Sequence, residues 1–534
     1  MKSSSQNPPA TLCLILHAHL PFVRHPEHER AHEELWLFEA LTECYLPLAE
    51  MFERLRMEGV SFRLTLSLSS TLICMLEDEL LRGRYLAHWE RLAALAEAER
   101  RRAADPARRA VAEMYIERLH GARDYLLHRC GGRLLEAFVR LRRGGAVELI
   151  TTAATHAFLP AFRGQPECVR AQVRAGLAVF RRALGFAPRG FWLPECGYYP
   201  GLEKILAAEG IRWFCLDTHG LDRARSGGRD GKRLALRCRN GVAVFGRDPV
   251  CSRQVWSAAE GYPGDPDYRE FHRDLGFDAP LTHLRPFLPE GWERVATGLK
   301  FHRITGGGRD RELYNPARAA AKAAQHAAHF LAQRAEQAMR NAGQVPPLVI
   351  VAPYDAELFG HWWFEGPLWL EHVLRGAAAN DALVRLATPG DYLRHHAARL
   401  PRGTPVESSW GLRGHAEYWI AAENRWIYPH LRQAGLRWRA LRRRWARAPA
   451  RGAAGRALRQ AARELLLAQA SDWPFMIRSG TTAAYAERRL RDHLARFHWL
   501  ADALEGGKAG DSITLQAIET LDAVFPRVDP AWWR

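Results

Sequence analysis

Short apolar or alternating runs, each closed by polar, Gly or Pro residues, recur along the chain at Thr11 to Leu16, Phe62 to Leu68, Ala146 to Thr151, Gly190 to Leu193, Ile211 to Leu216, Gly241 to Phe245 and Leu348 to Ala352. Their length and pattern predict strands. Between most of them apolar residues return at helical spacing. Val169 to Leu184 is one such stretch, and Pro200 to Ala208 runs to a stop at Gly210. Asn315-Pro316 supplies an N-cap and first-turn proline for a helix ending near Gly343. Strand alternating with helix implies a parallel α/β sheet, and seven strands imply a closed or nearly closed barrel.

Three segments break the alternation. Leu76 to Arg143 is charged, helical and strandless, and reads as a helical insertion after the second strand. Asp248 to Trp292 is too long for an ordinary connection and carries Trp256, Tyr262 and Tyr268, which predicts an ordered active-site lid. From Ser408 onward no strand pattern appears. The expected organisation is a catalytic barrel over 1–407, interrupted by the insertion 76–143 and containing the lid 248–292, followed by a helical domain over 408–534.

Composition narrows the classes. The 534 residues include 47% hydrophobic and 10% aromatic positions, with 18 Trp, a surplus that fits flat platforms for sugar rings. The formal charge of +17 raises the possibility of an anionic partner. The densest basic run, Arg432 to Arg463 with Arg442, Arg443, Arg444, Trp438 and Trp445, has the make-up of a nucleic-acid footprint. Arg is spread over almost every helical stretch, however, so solvated helix faces are expected and no nucleic-acid partner. Nine Cys without any CxxC spacing indicate buried thiols in a reducing compartment rather than disulfides or a zinc ribbon. The first apolar run stops at His17, too short for a signal peptide or membrane span. A cytoplasmic protein, monomeric or a small homo-oligomer, is expected.

Candidate chemistry lies just after the strands, where parallel barrels build their sites. The first is followed by His17 and His19, the third by His156, the fourth by Glu195, the fifth by Asp217 and His219, and the seventh by Asp355, Glu357 and His361. The HxH pair suits a divalent metal or sugar hydroxyls. Glu195 falls in GFWLPECGYYPG, a turn crowded with Trp192, Tyr198 and Tyr199. Cleaving or transferring a glycosidic bond takes two carboxyl groups, one ionised and one protonated, and Glu195 and Asp355 are placed to face each other across a barrel mouth. Either acid also reads as a cap or a structural ion pair.

Five segments in order, HAHLPF (His17 to Phe22), ELITTAATHAFLP (Glu148 to Pro160), GFWLPECGYYPG (Gly190 to Gly201), APYDAELFGHWWFEG (Ala352 to Gly366) and SSWGLRGHAEYW (Ser408 to Trp419), resemble glycoside hydrolase family 57 and, within it, the 1,4-α-glucan branching enzymes. The resemblance implies a retaining α-glucan enzyme on an incomplete (β/α)7 barrel that needs no metal or organic cofactor. It implies Glu195 as nucleophile and Asp355 as general acid/base, with His17, His19 and His156 lining the donor glucose site. Trp410 and Trp419 match aromatic residues of the branching subgroup. ASDWPFMI resembles that subgroup's C-terminal signature and puts Asp472 and Trp473 near the cleft, and Tyr262 in GYPGD resembles a lid tyrosine that favours transfer over hydrolysis. Trp192, Asp217, His219 and His361 join the candidate substrate contacts. An α-amylase or 4-α-glucanotransferase on the same scaffold, and a metal-dependent carbohydrate deacetylase using His17 and His19, are the alternatives.

Overall fold

The computed structural model describes residues 10–222, 235–257, 259–306, 311–380, 382–445, 452–507 and 512–534. All seven expected strands form: β1 (Ala10–Ala18), β2 (Leu64–Leu68), β3 (Val147–Thr152), β4 (Gly190–Trp192), β5 (Trp213–Leu216), β7 (Ala243–Gly246) and β8 (Leu348–Asp355). Two short strands were not anticipated. β6 (Ala235–Arg237) pairs antiparallel with β7, and β9 (Val384–Leu386) pairs with the start of β1. The order is β6-β7-β5-β4-β3-β2-β1-β8, every neighbouring pair parallel except the first. Between β7 and β8 no ladder forms among the described residues, but the Asp248 N–H just past β7 donates to Val351 O at 2.8 Å. The parallel strands thus curl into an incomplete barrel of seven.

Side-chain alternation sorts each strand into two layers. Leu12, Leu14 and Leu16 of β1, with Leu64, Leu66 and Leu68 of β2, face outward into the large core beneath the helices. Cys13 and Ile15 face inward and meet Ile150, Trp192, Trp213, Cys215, Phe245, Val349 and Val351 in the barrel interior. Both layers are dry, which explains why β1 is buried over its whole length.

The segment after β2 is helical, with Glu79–Arg102 and Pro106–Asp124 packed on each other and Leu134–Arg143 against β3. Beyond Ser408 the chain forms helices Ile427–Arg444, Ala453–Ala468, Asp472–Ser479, Ala483–Glu505 and Ser512–Leu521. Three arginines of the basic run form ion pairs within the chain: Arg437 with Asp502 and Glu505, Arg439 with Glu167, and Arg456 with Glu519. No described helix is long and apolar enough to cross a membrane.

The loop after β8 doubles back at Gly360, whose φ of 111° suits glycine alone. A Cβ there would lie 1.8 Å from Glu43 O, a backbone atom with no room to retreat. Gly360→Ala is expected to cost about 2–4 kcal/mol from strain and displaced packing, read as a lower urea midpoint with the far-UV spectrum unchanged.

Candidate active site

The inward layer does not stop where the strands do. Continuing each inward column by two residues turns Ile15 into His17, Cys215 into Asp217 and Phe245 into Arg247. In β8 the column that holds Val349 and Val351 reaches Asp355. The register sets Ser67, His17 and Asp355 side by side across β2, β1 and β8. A polar ring at the carboxyl end of the barrel is therefore a product of alternation, and it opens into a cavity of about 360 Å3.

Glu195 enters from a turn rather than a strand. It and Cys196 have φ of 60° and 49°, left-handed values that cost a non-glycine residue about 1–2 kcal/mol each. Distant contacts hold the turn. Trp410 donates from Nε1 to Glu195 Oε2 at 2.9 Å and from its backbone N–H to Glu195 O at 3.0 Å, while the Ser471 hydroxyl donates to Oε1 at 2.9 Å. His156, itself at φ 55°, places Nδ1 2.9 Å from Ser471 Oγ and Nε2 3.0 Å from His17 Nε2, and His17 Nδ1 lies 3.0 Å from Ser67 Oγ.

Burial, then the neighbouring His156 and His19, holds His17 well below the usual histidine range; burial and His19 lower His156 as well, against the pull of Glu195. With both rings neutral and the Ser471 proton given to Glu195, one proton arrangement satisfies the chain. Ser67 O–H donates to His17 Nδ1, His17 Nε2–H to His156 Nε2, His156 Nδ1–H to Ser471 Oγ, and Ser471 to the carboxylate. The His17 ring rests flat on Trp192, centroids 4.7 Å apart.

His19 behaves differently. Burial opposes its charge, yet Asp472, 3.1 Å from Nε2, raises its pKa, and His19 in turn draws the Asp472 carboxyl below its ordinary value despite burial. The His19 backbone N–H donates to Glu357 Oε1 at 3.0 Å, and the Tyr45 hydroxyl donates to the same oxygen. Burial raises Glu357. Asp355 is pushed well above the carboxylate range by burial first, then by the charges of Glu357 and Glu195, with Arg247 opposing. Arg247 is anchored by Asp217 at 2.7 Å and lies over the Trp410 ring.

Of the sequence candidates, His17, His19, His156, Glu195, Asp355, Trp410, Trp419 and Asp472 line the cavity. Asp217 and His219 stand one step out, Asp217 holding Arg247 and His219 Nε2 reaching Gly414 O at 2.7 Å. Trp192 is the floor beneath His17. Three candidates lie elsewhere. His361 is carried by the Gly360 turn to Glu43, 3.0 Å away. Trp473 packs among the C-terminal helices and donates to Leu467 O. Tyr262 is buried against the helix Pro316–Arg340, its hydroxyl 2.9 Å from His329 Nδ1. The segment 248–292 is correspondingly tied down, with Tyr268 bonded to His326 and Arg269 paired to Glu43, and among its described residues Trp256 lines the cavity wall. Arg247 lies outside the matched segments, and Ser471, Tyr418, Phe475 and Met476 fall inside them without standing out as site residues. Arg247 follows its strand as Asp217 does, so the same positional rule finds it.

At the mouth both ring nitrogens of His17 are engaged by Ser67 and His156, and Nε2 of His19 by Asp472. Among the described residues, the His/Asp/Glu group close enough to share an ion is Glu464, His493 and Asp522. It lies in the C-terminal helices, where Arg496 at 2.8 Å from Asp522 already supplies counter-charge.

Paired acids and aromatic walls at the carboxyl ends of a parallel, incomplete barrel define an enzyme of the glycoside-cleaving class. The chain belongs to glycosyl hydrolase family 57, whose profile matches residues 13–401, and the C-terminal profile of 1,4-alpha-glucan branching enzymes matches residues 430–533. It is 34% identical to the 1,4-alpha-glucan branching enzyme of Thermococcus kodakarensis, covering 92% of this chain and 73% of that protein. Among solved structures, the alpha-amylase AmyC of Thermotoga maritima superposes with a TM-score of 0.91 at 37% identity over 99% of both chains. The GH57-type branching enzyme of Pyrococcus horikoshii follows at 0.87 and 32%, over 98% and 97%.

The His19–Asp472 pair has a pH signature. The raised His19 pKa adds stability that is complete below the unfolded value of about 6.5 and lost as pH rises through the folded value. The lowered Asp472 pKa adds stability present above about 3.9 and lost as pH falls through the folded value. The Tm difference between the wild type and Asp472→Asn should therefore peak between about pH 4 and 6.5, which calorimetry across pH checks.

Proposed function

We propose that this chain is a 1,4-α-glucan branching enzyme, cleaving an α-1,4 linkage with retention and transferring the freed chain to a 6-hydroxyl. The observation that carries the reading is the contrast between the two acids. Glu195 is held by hydrogen bonds on both carboxylate oxygens, while Asp355 in the same cavity is kept protonated by burial and two acidic neighbours.

In this reading Glu195 attacks the anomeric carbon as the Asp355 O–H protonates the departing glycosidic oxygen, giving a glycosyl ester of inverted configuration. Asp355, now a carboxylate eased by Arg247, takes the proton of the acceptor 6-hydroxyl as that oxygen attacks and Glu195 leaves. Two inversions return the α configuration. The neutral His17 and His156, their ring nitrogens engaged by Ser67, by each other and by Ser471, line the cavity without adding charge. Water competes with the acceptor for the ester, and Trp256, Trp410, Tyr418, Trp419 and Phe475 make the wall that excludes it.

The match to the branching-enzyme C-terminal profile over residues 430–533 supports transfer. The likeness to a protein described as an alpha-amylase favours, as the second reading, hydrolysis at the same two acids. Linkage counting by NMR after incubation with amylose separates them, new α-1,6 linkages supporting branching and reducing ends alone supporting hydrolysis. The nine free thiols fit the reducing interior of a cell.

Glu195→Gln and Asp355→Asn are each expected to lower kcat on amylose by about 10^2- to 10^4-fold or more with the fold intact by circular dichroism. Because the Glu357 charge helps raise Asp355, Glu357→Gln should move the alkaline limb of kcat/KM to lower pH. A pH–rate profile that stays in place would remove Glu357 from that role.

A further inference from the structure

The loop that leaves the site after Asp355 carries two adjacent tryptophans with opposite fates. Trp363 is 1% exposed in the core, whereas Trp362 is 56% exposed. Trp362 does not line the catalytic cavity, although its backbone N–H bonds to the carbonyl of Glu357, whose side chain does. It therefore stands on the same end of the barrel, outside the mouth.

Its surroundings are built rather than loose. One face of the indole stacks on Phe271 at 4.3 Å and 23°. The Phe271 ring is braced by Lys300 Nζ at 4.2 Å and by the perpendicular His361 ring at 5.3 Å. The two segments that carry the rings converge on common anchors: Arg269 and His361 both pair with Glu43, and the Arg269 N–H donates to Glu365 Oε1 at 3.1 Å. Beside the platform the Glu39 carboxyl, 3.9 Å from His361 Nδ1, keeps one-fifth of its side chain open to solvent. A rigid indole with one free face, edged by a carboxyl and an imidazole, meets the needs of a pyranose: an apolar C–H face to stack and hydroxyls to bond. The platform is two rings wide and edged by polar groups, too small and too wet for the apolar centre of a protein interface.

We propose that Trp362, backed by Phe271, is an outlying platform for an α-1,4-glucan chain, distinct from the catalytic cavity. It holds a long polymer by a segment remote from the bond being cleaved. This rests on the α-glucan reading above and adds to it an anchoring point that only long substrates reach.

The test compares retardation by glycogen in native gels for three full-length proteins: Asp355→Asn, which leaves the gel polymer intact, and the same chain with Trp362→Ala or Trp362→Phe. Trp362→Ala is expected to weaken the apparent glycogen affinity about 3- to 10-fold, the size of one lost stacking contact, and Trp362→Phe to retain most of it. In the otherwise wild-type chain, Trp362→Ala should raise KM for amylose by a similar factor, leave kcat unchanged, and leave kcat/KM for maltoheptaose within about twofold. An unchanged Tm guards against misfolding. Equal retardation of the parent and the Trp362→Ala protein overturns the platform, as does an equal loss on amylose and maltoheptaose. Failure of the wild type to act on amylose counts against the function alone, because retardation is read without turnover.

Discussion

The structure depends on how the carboxylate of Glu195 is held. Its own turn is conformationally costly, and both of its oxygens take their hydrogen bonds from residues more than two hundred positions later, Trp410 and Ser471. A strained turn persists only when its surroundings over-determine it, and here the surroundings are the polypeptide that follows the barrel. The C-terminal helices are thus part of the site's foundation. Ser471 and Asp472 begin the helix Asp472–Ser479, and Trp473, bonded to Leu467 O, fixes that helix in place. Trp473 contributes by anchoring its neighbours, with no exposure to the cavity.

Charge is apportioned with the same economy. His17 and His156 sit deepest and stay neutral, linked in a chain of hydrogen bonds that ends on Glu195. Nearer the rim, His19 with Asp472 and Arg247 with Asp217 form ion pairs, each satisfied internally. Asp355 faces Glu195 and Glu357, whose hydrogen-bond donors are Trp410, Ser471, Tyr45 and a backbone N–H, so its acidic neighbours bring it no cation. Burial is the larger cause of its proton affinity, and Arg247, the cation that opposes the shift, is already engaged by Asp217.

Seven strands and their parallel order were legible because apolar runs between helical repeats leave few alternatives. The strand-end residues His17, Asp217 and Asp355 were legible for a deeper reason: alternation carries the barrel's inward column into the mouth without any further information. Arg247 obeys the same alternation. β6 and β9 were missed because Arg237 and Arg385 interrupt their short apolar runs, whereas the equally short β4 is apolar throughout. What the sequence hid is which way long loops fold. Tyr262, His361 and Trp473 are residue types that bind sugars, yet Tyr262 and Trp473 each found buried packing and a partner for a polar tip, and His361 was turned away by Gly360. Ser471 was invisible because a serine signals nothing until its neighbours are known.

The hydrogen bonds to Glu195 also have a meaning in time. As the chain emerges during synthesis, all seven parallel strands are complete by Asp355, and the barrel holds every residue of the inward ring. The carboxylate of Glu195 acquires its first donor only with Trp410 and its second only with Ser471. A chain cut before Trp410 would thus contain every parallel strand of the barrel and neither hydrogen-bond donor to the Glu195 carboxylate.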